Sequence, residues 1–374
     1  MIIGVPKEIL THESRVSLTP QGVFELVENN HTIIVEASAG VGSGFSDQMY
    51  EEVGAEIVPS STDVFNESEM IVKVKEPKPS ELELLKPSQI VFTYFHFAGS
   101  EELTNDFIST GATGLAYETV ELEDGSLPLL TPMSEVAGRM AVQEGAKYLE
   151  TRQGGRGILL GGVPGVEPAT VMILGGGIVG SNAAKIASGL GAKVYVLDKN
   201  VDRLRYLDDT MPKNVVTIYS NMHNILSLLP KTDLVVGAVL VVGDRAPMLI
   251  TKDMLKNMMD GSVIVDVAVD QGGCVETCRP TSHEDPIFEI EGVIHYCVPN
   301  MPGAVPFTST IALTNSTLPY IQQVANDGLE RAVCESKPLL KAMNVHEGKI
   351  THKGVANAFK MEFIPPEEIF SLVY

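Results

Sequence analysis

The chain has 374 residues, with 27 Lys and Arg against 48 Asp and Glu for a formal charge of −21, 44% apolar and 20% charged residues, and no tryptophan. At roughly 150 residues per domain this length makes about two to three domains with sizeable cores, and the balance of apolar to charged residues excludes a disordered chain or a coiled coil. The acidity disfavours nucleic acid and anionic membrane surfaces as partners, because phosphate neutralisation needs clustered Lys and Arg.

The opening MIIGVPKEIL lacks the basic start, apolar middle and small-residue cleavage site of a secretory signal, which points to the cytoplasm. The first 130 residues alternate strands, expected near 2–5, 32–36, 70–74, 90–95 and 113–117, with helices in the gaps. An apolar-periodic stretch from 133 to about 153 reads as a long helix that bridges two domains. The Gly-rich GGRGILLGGVPGVEP after it reads as a loop. From Thr170 onward, short β-branched runs alternate with helical stretches. Strands are expected at 171–175, 193–198, up to Ser220, 233–240, 261–269 and 293–298, which is the pattern of βαβ units and a parallel sheet. The longest apolar run, around 234–242, is half of what a membrane span needs. Beyond Pro306 a helix is expected, and the tail then packs back on the first domain.

These elements make an α/β chain of two domains: a doubly wound Rossmann domain and a second α/β domain formed by the N- and C-terminal segments. The expected boundaries are 1–130 for the first segment of the substrate domain, 131–304 for the dinucleotide domain and 305–374 for a helical segment returning to the substrate domain. The sharpest motif is Gly175-Gly176-Gly177-Ile178-Val179-Gly180, a G-x-G-x-x-G placed where a strand ends and a helix begins. Its first glycine permits a tight turn, its second lets the backbone approach a pyrophosphate, and its third allows close helix to strand contact. Asp198 ends the next strand, where a carboxylate bonds a ribose 2′-hydroxyl and repels a 2′-phosphate, so NAD is expected over NADP. Arg203, five residues on, is the feature that argues the other way.

GVPKE, ESRVSLTP, VKVKEP, TYFHFAG, LPLLTPMSEVAGRMA, GILLGGVPGV, VDVAVDQGG and VPNMPGAVP follow one another along the chain. In that order they resemble bacterial alanine dehydrogenases from end to end. The pattern is also similar to the soluble nucleotide-binding part of proton-translocating transhydrogenases, so a shared fold leaves the activity open. The resemblance implies NAD-dependent interconversion of L-alanine with pyruvate and ammonium, in a homo-hexamer.

Arg15, in a loop after the first strand, and Lys75, at the end of MIVKVK, are read either as surface cations or as a clamp for a carboxylate. In a clamp, Arg would offer a bidentate fork and Lys a point charge. The resemblance assigns them to the clamp. His96 closes VFTYF at a strand-to-loop junction and matches the family's catalytic His, a group that titrates near neutrality. Phe97 after it is larger than the aliphatic residue the family more often has there. Asp270, which ends VDVAVD, matches the second catalytic residue and a cofactor contact, with Asp266 as its competitor inside the strand. Further cofactor contacts implied by the resemblance are Ser134, Ile178, Val179, Ser220, Val239, Leu240, Val267, Arg279, Val298, Asn300 and Met301.

Cys274, Cys278, His283, His295 and Cys297 lack the usual zinc spacing, so no metal is expected, and four cysteines are too few for a disulfide scaffold. ETVELED, from Glu118 to Asp124, reads as a solvated charge run. The leading expectation is an alanine dehydrogenase. The competing ones are an NAD(H)-binding transhydrogenase-like component without amino-acid dehydrogenase activity, and an enzyme acting on a lysine-derived imine.

Overall fold

The computed structural model describes residues 1–239, 246–269 and 272–370. They form two compact units: Met1–Met133 together with the chain from Val305 onward, and Ser134–Ala304. Among the described residues no helix is long and apolar enough to cross a membrane.

The first unit is built on an eight-stranded sheet. Its strands are β1 (Ile2–Val5), β2 (Thr32–Glu36), β3 (Glu56–Val58), β4 (Met70–Val72), β5 (Ile90–Thr93) and β6 (Thr113–Ala116), with β14 (Met343–His346) and β15 (Lys349–Ile350) added from the tail. The order is β15-β14-β6-β5-β4-β1-β2-β3, parallel from β6 to β3 and antiparallel at β14 and β15. Strands such as IVFT are buried along their whole length, as a parallel sheet covered on both faces requires. Beneath them Phe95 and Phe97 stack at 4.2 Å and Phe107 meets both edge-on.

Two strands stop short of the lengths the sequence suggests. β4 ends at Val72 rather than 74, and β5 at Thr93 rather than 95, so Val72 and Phe92 form the last regular pair between them. The cause lies in two carboxylates. Glu8 Oε1 accepts the N–H groups of Val74 (2.6 Å) and Lys75 (3.2 Å). Glu118 accepts those of Phe95 (3.3 Å) and His96 (2.5 Å). A peptide group satisfied by a side chain leaves the ladder, so both strands break off here. The tail also differs from expectation, since its strands β14 and β15 extend the sheet beyond β6.

The second unit holds β7 (Thr170–Leu174), β8 (Lys193–Asp198), β9 (Val215–Tyr219), β10 (Leu234–Gly237), β11 (Val263–Asp266), β12 (Ile287–Ile290) and β13 (Val293–Tyr296). Read from the other edge, the order β9-β8-β7-β10-β11-β13 is a 3-2-1-4-5-6 sheet, with β12 antiparallel outside it. β12 went unread because its residues are only partly buried and form no apolar run. The topological switch lies between β7 and β10, where ligands of open α/β sheets bind.

Helix Thr131–Tyr148 enters the second unit and lies close against helix Ile178–Gly189. Gly138 makes this approach possible, because a Cβ there would stand 3.0 Å from the carbonyl carbon of Val179 and 3.1 Å from Asn182 Cβ. Gly138→Ala should therefore cost about 1–3 kcal/mol in urea unfolding, through overpacking against backbone. An unchanged midpoint would mean that the helices can part without loss.

Candidate functional site

In the first unit, the carboxyl ends of β4 and β5 bring Lys75 and His96 side by side, with the Thr93 hydroxyl donating to the Lys75 carbonyl at 2.9 Å. Arg15 reaches the same edge because its loop is pinned by Ser17, whose hydroxyl donates to the Val72 carbonyl at 2.6 Å. Arg15 is 2% exposed, and Glu13 holds it in a fork: Nε donates to Oε1 at 2.7 Å and Nη2 to Oε2 at 2.5 Å. Its Nη1 turns to the Met133 sulfur at 3.1 Å. Burial, and next the Arg15 guanidinium, push the Lys75 ammonium below the ordinary lysine range. Among the described residues no carboxylate lies in ion-pair contact with the Lys75 ammonium. Two neighbouring cations, one of them without a counter-ion, suit a small anionic ligand.

His96 stands exposed with φ +53° and ψ 37°, a left-handed conformation uncommon outside glycine, between the fully buried Phe95 and Phe97. The Tyr94 ring lies 6.0 Å from the imidazole, and its hydroxyl donates to the Leu129 carbonyl at 2.5 Å. Below Lys75, Lys73 is fully buried, 2.6 Å from Glu81 Oε1 and 3.4 Å from Glu8 Oε2. Burial works against its charge, yet the two carboxylates hold its pKa above the usual range. Burial also raises the Glu8 carboxyl, against the pull of Lys73.

Three groups that sequence reasoning missed therefore support this edge: Glu8, Glu13 and Glu118. Glu118 corrects the reading of 118–124 as a solvated charge run, since it is half-buried and bonded to main chain; only the residues after it are surface charges, Glu121 pairing with Lys341 and Glu123 with Lys337. Its only sequence signal was its place just past the end of the expected strand at 113–117.

In the second unit the glycine turn sits at the switch point. Gly175 has φ +99°, and a Cβ on it would lie 2.6 Å from the Ala238 carbonyl oxygen, while a Cβ on Gly180 would collide with the Gly175 carbonyl. A Cβ on Gly177 would meet nothing within 4 Å, and no side chain caps the helix that starts after it. Open space before an uncapped helix N-terminus, which begins with Ile178 and Val179, fits a pyrophosphate. Asp198 stands at the end of β8; its Oδ2 accepts the Gly176 N–H at 2.7 Å and its Oδ1 that of Asn200 at 2.8 Å. Arg203 donates from Nε to the Gly176 carbonyl at 2.5 Å and from Nη2 to that of Gly177 at 3.4 Å, so it braces the turn.

The strand ends around the turn carry most of the other candidates. The buried Ser220 donates its N–H to the Asp198 carbonyl, and Val239 lies 3.2 Å from a Cβ on Gly175. Val267 donates to the Gly237 carbonyl. Val298 and Met301 are buried after β13, with Asn300 between them at φ +55°. Ser134 lies half-buried in the first turn of helix Thr131–Tyr148. Arg279 instead lies over the Phe288 ring at 4.4 Å on β12. Leu240 and Asp270 lie outside the described residues. The competitor Asp266 is buried and accepts the N–H groups of Ala268 (3.1 Å) and Cys274 (2.9 Å), a brace for the turn after β11. Among the described residues no group of three or more His, Cys, Asp or Glu could hold a metal. His295 is spent on Thr277 and the Val293 carbonyl.

Residues 4–137 match the family model described as alanine dehydrogenase/PNT, N-terminal domain, and residues 141–353 match alanine dehydrogenase/PNT, C-terminal domain. An alanine dehydrogenase of Methanococcus maripaludis is 55% identical over 98% of this chain and 99% of its own length. A solved L-alanine dehydrogenase superposes with a TM-score of 0.94 at 54% identity, covering 96% of this chain and 99% of that one. A transhydrogenase from Sinorhizobium meliloti reaches a TM-score of 0.81 at 25% identity, covering 94% and 99%.

Lys73→Met should remove about 3–5 kcal/mol of stability in urea at neutral pH, because it leaves two buried carboxylates without their shared cation. A loss within experimental error would show that Glu8 and Glu81 do not depend on Lys73.

Proposed function

The chain belongs to the alanine dehydrogenase/PNT family, and from that membership and its two sites we propose that it is an L-alanine dehydrogenase. It would oxidise L-alanine to pyruvate and ammonia with reduction of NAD to NADH, and run the reverse reductive amination. The observation that carries this reading is the cation pair at the ends of β4 and β5, with Lys75 lacking a carboxylate partner among the described residues. A protein that only carried NAD(H) would have no use for such a pair beside an exposed histidine.

Arg15 and Lys75 would hold the substrate carboxylate, the first by its forked N–H groups and the second as a point charge, and so fix the direction of the substrate Cα. His96 takes the proton released by the substrate amine during oxidation onto its ring nitrogen and returns one in the reverse reaction. Asp270 is the second group expected at the chemistry. NAD, when bound, supplies the hydride acceptor. The turn from Gly175 to Gly180, with Ile178 and Val179 at the helix start, would hold its pyrophosphate, and Asp198 its ribose, favouring NAD over NADP. Arg203, bonded to two carbonyls of the turn, serves the turn rather than a 2′-phosphate. The remaining cofactor candidates keep the roles that the family resemblance gave them, as do a homo-hexameric assembly and a cytoplasmic location.

The likeness to a transhydrogenase favours one second reading, an NAD(H)-binding component without amino-acid dehydrogenase activity. Purified protein mixed with NAD and L-alanine at alkaline pH separates the two. Alanine-dependent NADH formation, reduced at least about 100-fold in His96→Ala with NAD binding retained, supports the enzyme. NAD binding with no turnover in either direction would leave the carrier.

A pH dependence follows from Lys75. Its protonated form binds the carboxylate and its pKa is lowered, so affinity for a non-reacting carboxylate such as oxamate should be greatest where Lys75 is protonated, on the acid side of that pKa. Affinity should then fall, as pH rises, before the ordinary lysine range is reached. Lys75→Arg should abolish that decline. Affinity that stays flat in the parent protein until the ordinary lysine range would show that Lys75 does not face the ligand.

A further inference from the structure

We propose that Glu118 is the positioning residue for His96, acting through main chain rather than through charge. The proposal rests on the reading of His96 as the proton-transfer group. It goes further, in naming what keeps that group in place.

His96 adopts a left-handed backbone that non-glycine residues hold only when their surroundings impose it. Those surroundings are visible. Phe95 and Phe97 are buried on either side and stacked on one another, with Phe107 edge-on to both, so the flanks of His96 are tied inward. Room for the three rings comes from Gly114, where a Cβ would lie 3.1–3.3 Å from all three. With the flanks fixed, the N–H groups of Phe95 and His96 have lost their ladder partners and need acceptors. Glu118 supplies both, one oxygen for each N–H, as a paired acceptor that a neutral side chain cannot reproduce.

Glu118 is itself firmly placed. It lies in the turn Tyr117–Thr119 after β6, the strand that pairs with β5 through Thr93 and Ala116. Tyr117 beside it is buried against Phe92 at 4.6 Å and edge-on to Tyr94 at 5.1 Å. Among the described residues Glu118 has no Lys or Arg partner, unlike Glu121 and Glu123 further along the same segment. After the neighbouring strand a carboxylate again serves two N–H groups, those of Val74 and Lys75, there through the single oxygen Oε1 of Glu8.

The test compares the parent chain with Glu118→Gln and Glu118→Ala in alanine oxidation and pyruvate amination, with NADH affinity and thermal midpoint measured alongside. Gln keeps one acceptor oxygen and Ala none. We expect kcat to fall in that order, by roughly 10-fold and roughly 100-fold, as expected for a misplaced catalytic group. The KM for alanine and the affinity for NADH should stay within about threefold, because Arg15, Lys75 and the glycine turn are untouched. The role of Glu118 is refuted if kcat stays within about twofold of the parent in the Ala variant, or if KM, NADH affinity and thermal midpoint all worsen together with kcat. A parent chain that forms no NADH from alanine would instead refute the reading on which this proposal rests.

Discussion

Every main-chain N–H removed from water must find an acceptor, and at the ends of β4 and β5 the acceptor is a carboxylate instead of a neighbouring strand. This substitution governs the first unit. Had both ladders continued, side chains would have kept alternating between the two covered faces of the sheet. Because Glu8 and Glu118 intercept the N–H groups, the chain leaves the sheet with Lys75 and His96 at its carboxyl edge. Arg15 joins them through the bond from Ser17 to the Val72 carbonyl. The placements of Lys75 and His96 thus share one cause.

Arg15, Lys73 and Lys75 face Glu8, Glu13 and Glu81, and most of them are out of water. Charges moved into a protein interior cost more than their attraction returns unless each is paired and hydrogen-bonded. Lys73 and Arg15 meet that condition; Lys75 has no carboxylate in ion-pair contact among the described residues, and burial and the Arg15 charge lower its pKa. An anion arriving beside Lys75 would relieve the deficit. In the nucleotide-binding unit the equivalent economy is steric. Gly175 and Gly180 have no space for a side chain, whereas Gly177 has it and leaves it open before an uncapped helix.

The elements that were legible in the sequence are those whose signal is local. The strands of the second sheet, apart from β12, are apolar β-branched runs between helical stretches, and the glycine turn carries its own spacing. β3, β12, β14 and β15 were not legible: they lie at or near sheet edges and, at two to four residues each, are too short to show a period. The tail is helical over most of its length, as expected from Pro306 onward, and departs from that reading at β14 and β15.

The sequence by itself determined the fold class and the family, because hydrophobic period, glycine spacing and motif order are properties of neighbouring residues. It also supplied Arg15, Lys75 and His96 as candidates by resemblance. Only the tertiary structure decided what surrounds them. Glu8 lies 66 residues from Val74, and Glu118 lies 22 from His96. No local pattern distinguishes such a glutamate from a surface charge. Its role arises when the sheet brings it beside an N–H that has lost its partner, and that juxtaposition is a product of folding.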